Sequence, residues 1–63
     1  MKGKVKFFNV EKGYGFIMAN NEEYFFHVTN VDNLDVLETD DVVEFKIKNT
    51  NRGQQATHIK KIN

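Results

Sequence analysis

The sequence predicts an all-β fold, a five-stranded antiparallel barrel, on three observations. Apolar and polar residues alternate with a period of two in five separate runs, and helical spacing is hard to find. Residues that favour tight turns separate most of these runs. Three runs joined by short turns, one longer crossover and a last hairpin suit a closed barrel, which leaves no exposed strand edge. With 63 residues, we expect a single domain over residues 1–63 with one core.

Each predicted strand is bounded by a recognisable turn. The strands are Gly3–Asn9, Tyr14–Ala19, Glu23–Val28, Val42–Asn49 and Gln55–Ile62. Glu11-Lys12-Gly13 can form the first turn, Asn20-Asn21 tolerates positive φ at a hairpin tip, and Thr50–Gly53 joins the last two strands. The only long connection is 29–41, where we expect a helical turn near Thr29 and apolar contacts from Val31, Leu34, Val36 and Leu37.

The composition excludes several classes of site. The chain has no cysteine, so disulfides, thiolate metal sites and a cysteine nucleophile are ruled out. Small secreted domains usually depend on disulfides, which favours a reducing cytoplasm. The N-terminal residues lack an apolar core of signal-peptide length, and we expect no membrane association.

The net charge of zero argues against a nucleic-acid binder when taken alone, but the charges are unevenly distributed. Basic residues lie near both ends of the chain, and acidic residues fill the middle. Folding could place the two basic ends on one face, although an ordinary mixed surface remains open at this point.

The aromatic residues carry the functional signal. Two tyrosines and six phenylalanines lie among 63 residues, more than so small a barrel can bury. In the second strand Tyr14 and Phe16 share one face, opposite Gly15 and the core candidate Ile17. The third strand separates Tyr24, Phe26 and Val28 from Phe25 and His27. We therefore expect an exposed aromatic patch beside lysines, which suits stacked bases and phosphates of single-stranded nucleic acid.

Three segments carry a more specific pattern: Gly3-Lys4-Val5-Lys6-Phe7-Phe8-Asn9, Lys12-Gly13-Tyr14-Gly15-Phe16-Ile17 and Tyr24-Phe25-Phe26-His27-Val28. They closely resemble the cold-shock domain, and Asn51–Ala56 resembles the last hairpin of that family. The resemblance covers almost the whole chain. It implies a Greek-key barrel of the oligonucleotide/oligosaccharide-binding (OB) fold that binds single-stranded RNA and DNA, with bacterial members acting as RNA chaperones.

The resemblance also implies a set of nucleic-acid-binding residues. The stacking residues would be Phe7, Tyr14, Phe16, Phe25 and His27, with Phe8 a partly buried contributor, and Lys6, Lys12 and Arg52 would meet the backbone or base edges.

The chain departs from the family pattern at several positions. Phe7 replaces the usual Trp, Val28 replaces a Phe, and Phe26 replaces a smaller aliphatic residue. The loop after the third strand is shorter, acidic and without an aromatic, with Leu34 the nearest apolar candidate. Asp40 and Thr50 stand where the family often has Gly, and Gln54 where it often has Pro.

Other functions fit the sequence less well. Two isolated histidines and the pair Asp40-Asp41 are poor material for a metal site or an acid–base dyad, so we expect no enzyme, cofactor or metal. The main alternative is a protein-interaction barrel that uses the same aromatic face; steep salt dependence would distinguish nucleic-acid binding from it. We expect a monomer, and a dimer swapped through the long connection is the other possibility.

Overall fold

Five strands and one short 3₁₀ helix make up the computed structural model, which describes residues 1–32 and 36–62. The strands are β1 (Lys2–Asn9), β2 (Tyr14–Ala19), β3 (Glu22–His27), β4 (Val42–Thr50) and β5 (Gly53–Lys61), and the 3₁₀ turn covers Val28–Asn30. All five predicted strands are therefore confirmed, with their ends displaced by no more than two residues. The predicted helical turn near Thr29 is confirmed as well.

The strands close into a barrel in the order β1-β2-β3-β5-β4. Neighbouring strands pair antiparallel except β3 and β5, which pair in parallel, with Phe25 opposite Gln55. The connection 28–41 leads from β3 to β4, and the β4–β5 hairpin then returns the chain so that β5 runs parallel to β3. Such parallel neighbours cannot be joined directly by a tight hairpin. A second parallel bridge between Val31 and Ile59 continues the closure past the end of β3.

The β2–β3 hairpin forms at the predicted asparagine pair. Asn20 and Asn21 both have positive φ, 53° and 66°. Positive φ at both central residues defines the type I′ turn, whose twist matches that of the flanking strands. Ala19 and Glu22 face each other immediately outside the turn and set the register of the hairpin.

The core contains the inward-facing residues of all five strands. The buried set is Val5, Ile17, Ala19, Tyr24, Phe26, Val31, Leu37, Val43, Phe45, Ala56 and Ile59. Of the connection residues expected to make apolar contacts, Val31 and Leu37 are buried and Val36 is exposed, while Leu34 lies outside the described residues. Phe26 is fully buried in place of the smaller residue usual in the family. Its ring packs against Phe8, with the ring centroids 5.6 Å apart.

A β-bulge in β1 changes which residues of that strand face outward. Val5 lies opposite Ile17, yet the next pair is Phe7 opposite Phe16, so Lys6 is the extra residue. Strict alternation would place Val5 and Phe7 on the same face. The bulge reverses the alternation, so Val5 is buried and Phe7 is exposed.

Val28 corrects one boundary of the sequence prediction. The predicted third strand included Val28 on the inward set with Tyr24 and Phe26. In the structure β3 ends at His27, and Val28 opens the 3₁₀ turn as a half-buried residue outside the core. Its backbone N–H donates to the Gly13 carbonyl at 2.8 Å, which fixes this turn against the β1–β2 turn.

Within residues 1–32 and 36–62, no helix is long and apolar enough to span a membrane.

Candidate nucleic-acid interface

Four aromatic rings lie together on the outer surface of β1, β2 and β3. We call Phe7, Tyr14, Phe16 and Phe25 the aromatic face. Tyr14 is its centre, with ring centroids 5.8 Å from Phe7, 5.9 Å from Phe25 and 6.1 Å from Phe16. Phe16 and Phe25 meet edge to face at 5.8 Å. These are normal separations for paired aromatic rings, so the rings stabilise one another while part of each stays accessible.

Strand register explains why the rings are neighbours. Phe7 lies opposite Phe16, and Phe16 lies opposite Phe25. Side chains at directly opposed positions project from the same face of a sheet. Gly15 lies between Tyr14 and Phe16 on the inner face, where a Cβ would overlap the Phe7 carbonyl oxygen and lie 2.6 Å from Cζ of Phe26. The missing side chain thus lets the inner Phe26 ring pack directly beneath this part of β2.

His27 extends the outer surface at the end of β3, directly opposite Tyr14. Its Nδ1 accepts a hydrogen bond from the Thr29 backbone N–H at 3.3 Å and lies 3.0 Å from the Thr29 hydroxyl. Because a backbone N–H can only donate, the neutral ring carries its proton on Nε2. The exposed imidazole therefore has a donor available for a ligand, in a ring orientation held by Thr29.

The three predicted cations occupy different positions around these rings. Lys6 is the bulge residue of β1 and pairs with Glu23 of β3 at 3.1 Å, with both side chains about half exposed. Lys12 is exposed in the β1–β2 turn, where its backbone N–H donates to the Asn9 side chain at 2.9 Å. Arg52 is exposed in the β4–β5 hairpin beside Phe25. An exposed ion pair contributes little to stability, so Lys6 can exchange its contact with Glu23 for a contact with a phosphate.

Phe8 has a different environment from the other predicted aromatic residues. It lies opposite Gly15, on the inner side of β1, and packs against the buried core. Its ring stacks on Phe26 with an interplanar angle of 25°. Phe8 therefore supports the underside of the sheet that carries the aromatic face.

Sequence reasoning missed two residues beside Phe25. An open cleft of about 170 Å³ is lined by Phe25, Arg52, Gln54 and Gln55. Its glutamines supply amide donors and acceptors next to an aromatic wall, a combination that suits the edge and face of a planar base. Only the parallel pairing of β3 with β5 brings Gln55 beside Phe25, and no local pattern in the sequence reports that pairing.

Comparison with known proteins identifies the family. The model of the 'Cold-shock' DNA-binding domain matches residues 1–62. The chain belongs to the cold-shock domain family. The resemblance seen in the sequence is thereby confirmed, and the barrel with its exposed aromatic cluster is the cold-shock domain fold.

Bacterial cold-shock proteins that match over nearly their whole length are among its relatives. The chain is 45% identical over 65 residues to the cold shock-like protein CspB of Bacillus cereus, covering 98% of this chain and 100% of that protein. It is 43% identical over 63 residues to the cold shock protein CspD of Bacillus subtilis, covering 95% and 96%. It is 40% identical over 63 residues to a cold shock-like protein of Thermotoga maritima, again covering 95% and 96%.

A solved structure shows the same architecture in a longer protein. The structure described as drosophila Unr CSD456 superposes with a TM-score of 0.80 at 28% sequence identity. The match covers 98% of this chain and 26% of that chain. The matched region is therefore about a quarter of that solved chain.

Proposed function

We propose that this protein binds single-stranded RNA and DNA by stacking bases on the aromatic face. The observation that carries the proposal is the cluster of four accessible rings, arranged through strand register around Tyr14. Bases present flat aromatic surfaces only when they are unpaired, and stacking tolerates any base. Membership of a DNA-binding domain family supports this assignment.

The surrounding polar groups complement the rings. Lys6, Lys12 and Arg52 supply positive charge for phosphates, and His27 supplies an Nε2–H donor for a base or sugar. Phe8 acts from beneath the sheet by supporting it. Binding that depends mainly on stacking has little sequence specificity, which suits an RNA chaperone or a regulator of transcription or translation acting without catalysis.

Protein binding by the same face is the second candidate. The zero net charge favours it, since nucleic-acid-binding domains are usually basic. Aromatic residues and arginine are also enriched at the energetic centres of protein interfaces. The two functions differ in salt dependence, because phosphate contacts release counterions whereas an apolar interface does not.

Substitution of single rings tests the proposed function. Phe16→Ala and Phe25→Ala should each weaken binding of a short oligothymidylate by about 1–3 kcal/mol, or roughly five- to 150-fold, since each change removes a stacking surface. Fluorescence titrations at two salt concentrations would measure both the affinity and its salt dependence. Thermal unfolding of each variant should confirm that the barrel still forms.

The matched control removes an apolar side chain elsewhere. Ile62 is 41% exposed and follows β5, and its N–H donates to the carbonyl of Val42 at the start of β4. Ile62→Ala should leave the affinity unchanged. The proposal fails if both folded phenylalanine variants bind the strand as tightly as the parent protein, or if the parent protein does not bind it at all.

A further inference from the structure

The aromatic face continues around the barrel as one line of opposed residues. Beyond Phe25 the next strand presents Gln55, and β4 then presents Lys48 opposite Gln55. Neighbouring strands are about 4.8 Å apart, which places the backbones of Phe25 and Lys48 about 10 Å apart. A strand of nucleic acid that passes over Phe25 would therefore reach Lys48 within one or two nucleotides.

The outer surface of β4 carries two lysines beside this line, with Glu44 further along the strand. Lys46 and Lys48 are both exposed and alternate with Phe45, which lies in the core, and Ile47, which packs against it. Opposite Lys46 is Thr57 on β5, so the surface between Phe25 and the two lysines carries neutral polar groups. The ion pairs among residues 1–32 and 36–62 join Lys6 to Glu23 and Lys61 to Asp41, and involve neither of these lysines.

The surfaces on the other sides of the aromatic face carry acidic residues. The β2–β3 hairpin end carries Glu22 and Glu23, and Glu11 lies in the β1–β2 turn. The connection after β3 carries the exposed acidic residues Asp32, Glu38 and Asp40. On those sides Lys6 pairs with Glu23 and Lys12 adjoins Glu11. Over β5 and β4, by contrast, the residues between Phe25 and the two lysines are the neutral Gln55 and Thr57, so this surface has charge complementary to a polyphosphate chain.

We infer that a bound single strand continues from Phe25 across β5, with its phosphates contacting Lys46 and Lys48 of β4. This inference rests on the proposed function, and it extends the binding surface to a strand of the barrel that carries no aromatic stacking residue on its outer face. The contacts are with phosphates, so they add affinity for long strands without adding sequence preference.

The length of the bound oligonucleotide distinguishes contacts made by these lysines from contacts made by the aromatic face. The Lys46→Gln/Lys48→Gln double variant should bind an oligothymidylate of about five nucleotides as the parent protein does, since so short a strand is held on the rings. With about twelve nucleotides, the slope of log affinity against log salt should fall in magnitude by about 1.4, or about 0.7 for each phosphate that a lysine no longer neutralises. The affinity of the double variant for this longer oligonucleotide at low salt should also fall.

A second double variant controls for net charge. Lys2 and Lys60 both lie opposite Glu44, further from the rings, so Lys2→Gln/Lys60→Gln removes the same charge from another part of the barrel. This control variant should leave the salt dependence of binding unchanged for both the short and the long oligonucleotide. The inference is overturned if the Lys46/Lys48 variant binds the long strand like the parent, or if the control variant or the short strand shows an equal loss. If the parent protein binds neither strand, the proposed function itself fails.

Discussion

Phe7 and Tyr14 illustrate how exposed rings are stabilised in so small a protein. Phe7 is 41% exposed, while its contact with Tyr14 leaves the tyrosine half-buried. Each ring therefore covers part of the next, which reduces the cost of holding apolar surface in water. The same contacts hold the rings at defined angles before a ligand arrives, so less order has to be created on binding.

Val28 offers a position at which the aromatic face can be tested by adding a ring to it. Its half-buried side chain lies outside the core and next to His27, and Cγ1 would lie 3.3 Å from a Cβ placed on Gly13. Val28→Phe should add a stacking ring at the end of the aromatic face and strengthen single-strand binding by about 1 kcal/mol, the low end for one base stack. The gain should be nearly independent of salt, because no phosphate contact is added.

Equilibrium titrations over a salt series would measure this gain. The matched control is Ile62→Phe, which adds a ring at an exposed position away from the aromatic face and should not alter affinity. If Val28→Phe folds normally and binds no more tightly, the added ring turns inward against Gly13, and this position does not belong to the interface.

The turn before β4 shows how an element can depend on one carboxylate. The Glu38 N–H donates to Asp41 Oδ2 at 2.8 Å, and Lys61 of β5 lies 3.4 Å from the same oxygen. Asp40 within this turn has φ of 75°, a left-handed conformation that Asp tolerates better than most residues and Gly adopts freely. That geometry accounts for an Asp at a position where the family often has Gly.

Asp41 should make stability depend on pH. The Glu38 N–H and, to a smaller extent, Lys61 hold the pKa of the Asp41 carboxyl below its ordinary value of 3.8. A lowered pKa in the folded state stabilises the protein fully above the unfolded pKa, and this contribution is lost as the pH falls through the folded value. Asp41→Asn should therefore be less stable than the parent above about pH 5, and the difference should shrink on acidification.

Urea unfolding between pH 7 and pH 3 would show this convergence. Asp40→Asn removes the same charge one residue earlier, where the side chain makes no hydrogen bond among the described residues, and should track the parent at every pH. A constant difference between Asp41→Asn and the parent across this range would contradict the assignment.

At the scale of the whole molecule, barrel closure brings separate parts of the chain onto one surface. The first three strands supply the rings, and the last hairpin supplies Arg52, Gln54 and Gln55 beside Phe25. Closure also places Lys2 of β1 and Lys60 of β5 on either side of Glu44. One lysine from each end of the chain therefore lies beside β4, so zero net charge does not mean a uniform surface.

A surface built from stacking rings should prefer single strands to duplexes. The bases of a duplex are stacked on each other and their faces cannot reach Tyr14 or Phe16. A labelled single strand should be displaced efficiently by an unlabelled single strand and poorly by the matched duplex at the same nucleotide concentration. Equal or better competition by the duplex would contradict the stacking mechanism and indicate binding through phosphates alone.

Local patterns in the sequence were sufficient for the strands and for most of the faces. Alternation placed Ile17 and Phe26 inside and Phe16 and Phe25 outside, and the Asn20-Asn21 pair located the hairpin. These features follow from the geometry of a pleated strand and from φ preferences of single residues, both of which are local. The family resemblance correctly indicated the barrel, and the roles of the nine predicted binding residues remain predictions.

Only the tertiary structure decided the features that depend on which strands meet. The bulge at Lys6 turns Phe7 outward, and alternation along β1 by itself predicts the opposite. The parallel pairing of β3 with β5 brings Gln55 and Lys48 into line with Phe25, and the fold brings Lys6 to Glu23. Such neighbours are set by barrel closure and register between strands distant in the chain. Short-range patterns cannot encode them, because a one-residue change in register moves every side chain to the other face.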